Sequence, residues 1–418
     1  MHEIMQFQTS ISTAENVPDS LAIDLPVSPP QPFVGPQAAA DPNEIVQGTR
    51  LLQQIALMPE ADVAAFVSAN PEAISGLIAH PPAPQDVSLW WNSMQLDSRN
   101  ALRAASPQLV GNIDGIPFAV RDIANRTLLD STMASLQSTI NGEVGRTVVE
   151  NAKYQLAMLT SIADALSEKS LGATRTLMTL DVTGQGRAAI IIGDLRNADY
   201  VTYMVPGMFF TIEGQMVYWT DAASRMRDEQ IAWLTRFGDA DSTVAAVAWI
   251  GYHTPNLTNI GSMDNAYEAE DSLASTIKGL QTLRATDAPY ICVVAHSYGS
   301  TAALMALTDY DFEVDSLVVV GSPGSPAQAA SDLHVRAGQV YVGEADFDLV
   351  TNSAFFGSDP GAPSYGATPF GTNGGTDAIT GDSLTRSFGH IEYFSPGTES
   401  LRNIALIGIG KGAYVSHE

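Results

Sequence analysis

The spacing of apolar residues changes near residue 176, and this change divides the chain into two regions. Before it, apolar residues recur at helical intervals, as at Val120, Ile123, Ala124 and Leu128 after Pro117. After it, short apolar runs alternate with longer mixed stretches. The runs that predict strands are residues 177–180, 188–192, 201–205, 244–251, 290–294, 314–321 and 339–343. Apolar strands that alternate with helices predict a mostly parallel α/β sheet covered on both faces.

The first 173 residues predict two further regions ahead of this sheet. Residues 1–40 are rich in Pro, Ser and Gln, which predicts an extended or disordered tail. Residues 41–173 predict a helical region. Asp41 and Asn70 are each an N-cap residue followed by a proline and then, within three residues, by a glutamate, which is a typical helix start. Trp90, Trp91 and Phe118 need a partner surface, so we expect this region to pack on the sheet domain at 174–418.

A serine stands between one apolar run and the helix that follows it. The chain there reads Ala295-His296-Ser297-Tyr298-Gly299. A strand, a sharp turn through a serine and then a helix indicate the nucleophile elbow of an α/β-hydrolase, in which small neighbours let the serine stand above the sheet. Ala295 occupies the place of the usual glycine. The plainer alternative is an ordinary strand-to-helix turn with an exposed serine.

The order of the chain restricts the choice of a catalytic base. In the α/β-hydrolase fold the nucleophile is followed first by the acid and then by the histidine. Four of the seven histidines precede Ser297, namely His2, His80, His253 and His296. Of the rest, His417 adjoins the last residue and His334 precedes a predicted strand. His390, which follows Gly389 and precedes an apolar stretch, is therefore the predicted base, and a surface-loop histidine is the alternative.

The acid and the oxyanion hole are predicted from the ends of two strands. Asp346 and Asp348 both follow the strand at 339–343, so both are candidates for the acid that orients the histidine. Pro206 and Gly207 follow the strand at 201–205, and the turn there directs the Met208 amide towards the site. The Tyr298 amide is the predicted second donor. The alternative for Pro206-Gly207 is a plain turn.

Composition excludes several classes of partner. The formal net charge is −26, which disfavours nucleic acid and anionic membranes because their charges would repel the protein. No apolar run is long enough for a membrane span, and no secretory signal is evident, so we expect a cytoplasmic protein. Cys292 is the only cysteine and is expected in the core. No zinc or P-loop motif occurs, so neither a metal nor an organic cofactor is expected.

Several stretches together are more specific than the elbow alone. They are residues 90–91, 109–117, 121–126, 205–208, 249–252, 296–300, 321–324, 348–350, 356–371 and 389–394. With them the chain resembles a bacterial α/β-hydrolase family catalogued as a domain of unknown function. The resemblance implies a triad of Ser297, Asp348 and His390, and so favours Asp348 over Asp346. The chain departs from the family at Ala295, often glycine, and at Leu349, often proline. The resemblance implies no substrate.

These observations predict a serine hydrolase of α/β-hydrolase fold with an N-terminal helical extension. We expect it to cleave a small carboxylic ester through an acyl-enzyme on Ser297. An amidase or peptidase would use the same triad, and a non-catalytic hydrolase-like binding protein is disfavoured because Ser297 and His390 are both present. The loop at 354–376 is expected either to line an acyl or alcohol pocket or to be a surface excursion. The sequence does not indicate the oligomeric state.

Overall fold

The computed structural model describes residues 42–167, 173–256, 258–351 and 353–417. The tail predicted at residues 1–40 and the N-cap predicted at Asp41 lie outside the described residues. Residues from Pro42 onward form one compact unit. The boundary placed between residues 173 and 174 stays a prediction.

An eight-stranded sheet forms the centre of the fold. Its strands are β1 (Arg175–Asp181), β2 (Arg187–Ile192), β3 (Tyr200–Val205), β4 (Val244–Ile250), β5 (Tyr290–His296), β6 (Ser316–Val320), β7 (Val340–Gly343) and β8 (Thr368–Pro369). Their order across the sheet is β1-β2-β4-β3-β5-β6-β7-β8. The pairs β1–β2 and β2–β4 are antiparallel, and all the other pairs are parallel. This confirms the predicted mostly parallel sheet.

Helices precede the sheet and connect its strands. In the described residues they are α1 (Pro42–Ala56), α2 (Glu60–Ala69), α3 (Pro71–Ala79), α4 (Pro84–Ser93), α5 (Leu96–Ala105), α6 (Pro107–Asn112), α7 (Phe118–Asn141), α8 (Arg146–Leu166), α9 (Ile212–Arg236), α10 (Asp264–Leu283), α11 (Tyr298–Asp309) and α12 (Glu399–Gly408). A short hairpin pairs β9 (Gly375–Thr376) with β10 (Ser383–Leu384). None of these helices has the length and apolar character that crossing a membrane requires.

The sheet is buried on both faces, which is why its strands are continuous apolar runs. In β4, Ala246 and Ala248 join the core beneath α8, α9 and α12, whereas Val247 and Trp249 join the core beneath α10 and α11. Such alternation follows from the two-residue repeat of a strand. Cys292 is fully buried, as predicted. A third apolar cluster, around Trp90 and Trp91, lies within the helices that precede β1.

The edge of the sheet at β1 is covered by polar side chains of α6 and α7. The backbone N–H of Leu177 donates to Asp122 at 2.6 Å, and Asn125 donates to the Leu177 carbonyl at 3.1 Å. Asn112 pairs with Leu180 in the same way, accepting at 2.9 Å and donating at 2.8 Å. An uncovered edge strand would expose these backbone groups to pairing with other chains. The helices therefore complete the sheet through hydrogen bonds.

The helix predicted after Pro117 is present as α7, but its apolar residues do not all lie on its buried face. Ala124 is fully buried, but Ile123 is 49% exposed. The face turned to the protein instead carries Arg121 and Asn125, whose side chains are buried and hydrogen-bonded. Because part of the surface opposite this helix is backbone rather than apolar side chains, polar residues fit the buried face better than Ile123 does.

Candidate active site

Ser297 occupies a strained turn between β5 and α11. Its φ is 54° and its ψ is −132°, a backbone conformation that is uncommon for a residue with a side chain. Gly299 is required, because a Cβ there would lie 2.3 Å from the Pro206 carbonyl oxygen. A Cβ at Gly207 would lie 2.4 Å from that of Ser297. Ala295, which replaces the usual glycine, is fully buried in the core.

The turn brings Ser297 into hydrogen-bond contact with a histidine, and that histidine contacts an aspartate through its other ring nitrogen. His390 Nε2 lies 2.7 Å from Ser297 Oγ. His390 Nδ1 lies 2.9 and 3.0 Å from the two carboxylate oxygens of Asp348. With the neutral ring protonated on Nδ1, that N–H donates to Asp348 and leaves Nε2 free to accept from the serine. His334 and His417 instead contact backbone carbonyl groups elsewhere.

Asp348, and not Asp346, is the aspartate that contacts His390. The Asp348 side chain is fully buried, whereas that of Asp346 is 48% exposed and lies 3.9 Å from Arg386. In an extended segment, the side chains of residues two positions apart, such as Asp346 and Asp348, would face the same side. Phe347 has a φ of 63°, and this left-handed residue turns the chain between the two aspartates.

The surroundings of Asp348 keep its carboxyl ionised. Burial raises the pKa of Asp348, but hydrogen bonds from His390, Tyr393 and the Val350 backbone outweigh it and hold the pKa below its usual value. The Tyr393 hydroxyl donates to Asp348 at 2.7 Å and accepts from the Ala345 N–H at 2.9 Å. Burial, followed by the nearby carboxylate, raises the pKa of Tyr393, so the hydroxyl keeps its proton.

Two backbone amides adjoin Ser297. Tyr298 is the first residue of α11, where backbone N–H groups lack acceptors within the helix. Met208 follows Gly207, whose close approach brings the end of β3 against Ser297. Within the part of the chain that the structure describes, the Met208 amide has no hydrogen-bond acceptor. Both predicted oxyanion donors therefore lie on segments next to the serine.

Two residues of the site were not predicted to take part in it. Tyr393 lies three residues after His390 and supports the aspartate. His296 was excluded as a base, yet its Nε2 donates to the backbone carbonyl of His390 at 2.7 Å. Burial foremost, and His390 next, lowers the pKa of His296 to about 3. Its place directly before Ser297 was the available signal, but the contact itself spans 94 residues of sequence.

The predicted loop at 354–376 has two distinct parts. Phe356 packs edge-on against the Tyr298 ring at 5.2 Å, beside Phe355, which is 58% exposed. Tyr365 and Phe370 are buried in the core. The loop also contains β8, so it is not structureless. Within the described ranges, no group of three or more His, Cys, Asp or Glu side chains is arranged to hold a metal ion.

Comparison with known sequences finds one family model that matches most of the sheet. Residues 181–358 match a family model described as "Alpha/beta hydrolase". Two proteins of Mycobacterium tuberculosis, "Uncharacterized protein Rv2079" of strain H37Rv and "Uncharacterized protein MT2140" of strain CDC 1551, are each 25% identical to this chain over 375 residues. The matches cover 78% of this chain and 56% of each relative. The chain thus spans about half the length of these curated relatives.

Comparison with solved structures finds enzymes of low sequence identity. A thermostable esterase from Pseudomonas putida is 11% identical, with 69% of this chain and 98% of that chain covered and a TM-score of 0.31. An S-formylglutathione hydrolase from Agrobacterium tumefaciens is 11% identical, with 60% and 98% covered and a TM-score of 0.34. The chain described here has the α/β-hydrolase fold, and its residues 181–358 match the model of an α/β-hydrolase family.

Proposed function

We propose that this protein is a serine hydrolase that cleaves carboxylic esters through an acyl-enzyme on Ser297. The observation that carries the proposal is the continuous chain of hydrogen bonds from Ser297 Oγ through His390 to Asp348. Its start at a residue with a φ of 54° adds support, because a strained nucleophile turn is not expected without a function.

The contacts support a two-step reaction. Ser297 Oγ attacks the ester carbonyl carbon while His390 Nε2 takes the serine proton. The carbonyl oxygen becomes an oxyanion, which accepts hydrogen bonds from the Met208 and Tyr298 amides. The C–O bond to the alcohol breaks, and His390 returns the proton to the departing alkoxide. Water then attacks the acyl-enzyme with the same base and releases the carboxylic acid and the free serine.

Asp348 has an electrostatic role in both steps. Its carboxylate holds the His390 proton on Nδ1 and stabilises the imidazolium that forms when Nε2 takes the serine proton. The Tyr393 hydroxyl and the Val350 N–H satisfy the remaining lone pairs of the carboxylate. The aspartate therefore stays fixed and ionised during the reaction.

Covalent labelling with a fluorophosphonate probe tests the proposal without knowledge of the substrate. The wild-type protein should be labelled, and Ser297→Ala should lose both labelling and ester hydrolysis while keeping its unfolding temperature. His390→Ala should fall almost as far. His334→Ala is the matched control, because the ring of this exposed histidine hydrogen-bonds to the backbone carbonyl of Tyr310 and not to Ser297 or Asp348.

Four outcomes would contradict the proposal or narrow it. Wild-type labelling of Ser297→Ala would remove the nucleophile assignment. Loss of activity in His334→Ala, with His390→Ala active, would remove the base assignment. Matched ester and amide substrates with the same acyl group would then distinguish an esterase from an amidase. A protein that neither labels nor hydrolyses either substrate would instead be a non-catalytic binding protein.

A further inference from the structure

We propose that His296 is a positioning residue, whose Nε2–H holds the backbone of His390 so that the His390 ring meets Ser297. The proposal rests on the function proposed above and adds a residue to it. His296 does not touch the reacting atoms. It acts through the carbonyl group of the base, at 2.7 Å from Nε2 to oxygen.

The two partners differ in how firmly the fold holds them. His296 is the last residue of β5 and pairs with Val320 in the middle of the sheet. His390 lies in a loop between β10 and α12 and follows Gly389, which has a φ of 65°. The hydrogen bond therefore connects the loop that carries the base to the strand that carries the nucleophile. A fixed donor on the strand limits how far the ring can move from Ser297.

Water cannot replace this donor, because the His296 ring is enclosed. The residue is 3% exposed. Its ring lies 4.7 Å from that of His390, 5.9 Å from that of Tyr393, 6.0 Å from that of Phe394 and 6.4 Å from that of Phe210, measured between centroids. A carbonyl oxygen that lost its donor here would stay unpaired, which is costly in a buried site.

The His296 ring is a neutral donor with one possible tautomer. The titratable groups that act on it are His390 and Asp348, and burial is the largest influence that lowers its pKa. A carbonyl oxygen only accepts, so the ring proton must be on Nε2. In the described residues, Nδ1 is buried without a hydrogen-bond partner, which agrees with this tautomer. A neutral ring beside His390 does not repel the imidazolium that forms there.

Two substitutions of matched length separate the donor from simple packing. His296→Gln keeps an N–H donor at about the reach of Nε2, and His296→Met keeps the length without the donor. We expect His296→Met to lower kcat about tenfold to a hundredfold, the effect of one unpaired buried group, with KM nearly unchanged. We expect His296→Gln to recover most of this loss. Ester hydrolysis and the rate of fluorophosphonate labelling measure both variants, and thermal unfolding confirms that each is folded.

The outcomes separate this proposal from the one on which it rests. Equal kcat values in the Gln and Met variants would overturn the proposal, because the donor would then make no difference. A His296→Met variant with wild-type kcat would overturn it as well. In either case a dead Ser297→Ala variant would leave the proposed function intact. Full activity in Ser297→Ala would overturn the proposed function and this proposal together.

Discussion

Replacing Asp348 by asparagine should nearly abolish activity, because the change removes the charge that faces the base. The carboxylate oxygens lie 2.9 and 3.0 Å from His390 Nδ1. At that separation and an effective dielectric constant of about 20, the attraction between carboxylate and imidazolium is on the order of 5 kcal/mol. This corresponds to a loss of kcat of about three to four powers of ten. An amide group facing Nδ1 would also favour the wrong tautomer of His390, which acts in the same direction.

The matched control is Asp346→Asn, two residues earlier in the same segment. Its side chain is 48% exposed and lies 3.9 Å from Arg386, so we expect kcat to change less than about threefold. Steady-state hydrolysis of an activated ester, at saturating substrate, measures both variants, and thermal unfolding checks that they are folded. Equal and small effects would refute the reasoning and place the acid elsewhere. A dead Asp346→Asn with an active Asp348→Asn would reverse the assignment.

Three further changes test the support of the site and of the fold. Tyr393→Phe removes a hydrogen bond to the Asp348 carboxylate, so steady-state assays should show kcat about tenfold lower with KM unchanged. An unchanged kcat would contradict this prediction. Burial and neighbouring carboxylates raise the pKa of Glu270 to about 8, so its ionisation destabilises the fold increasingly from about pH 4.5 to 8. Glu270→Gln should therefore be more stable than wild type by about 1 kcal/mol or more at pH 8 in urea unfolding, with little difference at pH 4.5. Asp122→Ala should cost about 1–3 kcal/mol, because the Leu177 N–H loses its acceptor, whereas the exposed Asp130→Ala on the same helix should unfold like wild type.

The elbow could be predicted because its signals are local. An apolar strand, small neighbours and a helix start within a dozen residues indicate the turn at Ser297, and the order of the chain then singles out His390. The choice between Asp346 and Asp348 could not be made from the residues alone. The choice depends on the positive φ of Phe347, which turns the chain between the two aspartates. In the same segment, the backbone of Asp346 pairs with that of Phe388, which is distant in sequence.

Two residues of the site could not be predicted from the sequence, because hydrogen bonds between distant parts of the chain bring them there. Tyr393 reaches Asp348 across 45 residues, and His296 reaches the His390 carbonyl across 94. Nothing in the local pattern marks either residue as more than a core side chain. Tyr393 and His296 make these contacts because the folded sheet brings β5, the loop after β7 and the loop before α12 together.

The helical region shows where apolar periodicity misleads. Reading α7 by its apolar residues selects Ile123, because a helix that packs on side chains buries an apolar stripe. Here the partner is partly the open edge of β1, whose N–H and C=O groups need acceptors and donors. Asp122 and Asn125 supply them, and Asn112 does so from α6. In this protein, therefore, the helix face opposite the edge strand carries polar residues beside apolar ones such as Ala124, because the strand backbone needs hydrogen-bond partners there.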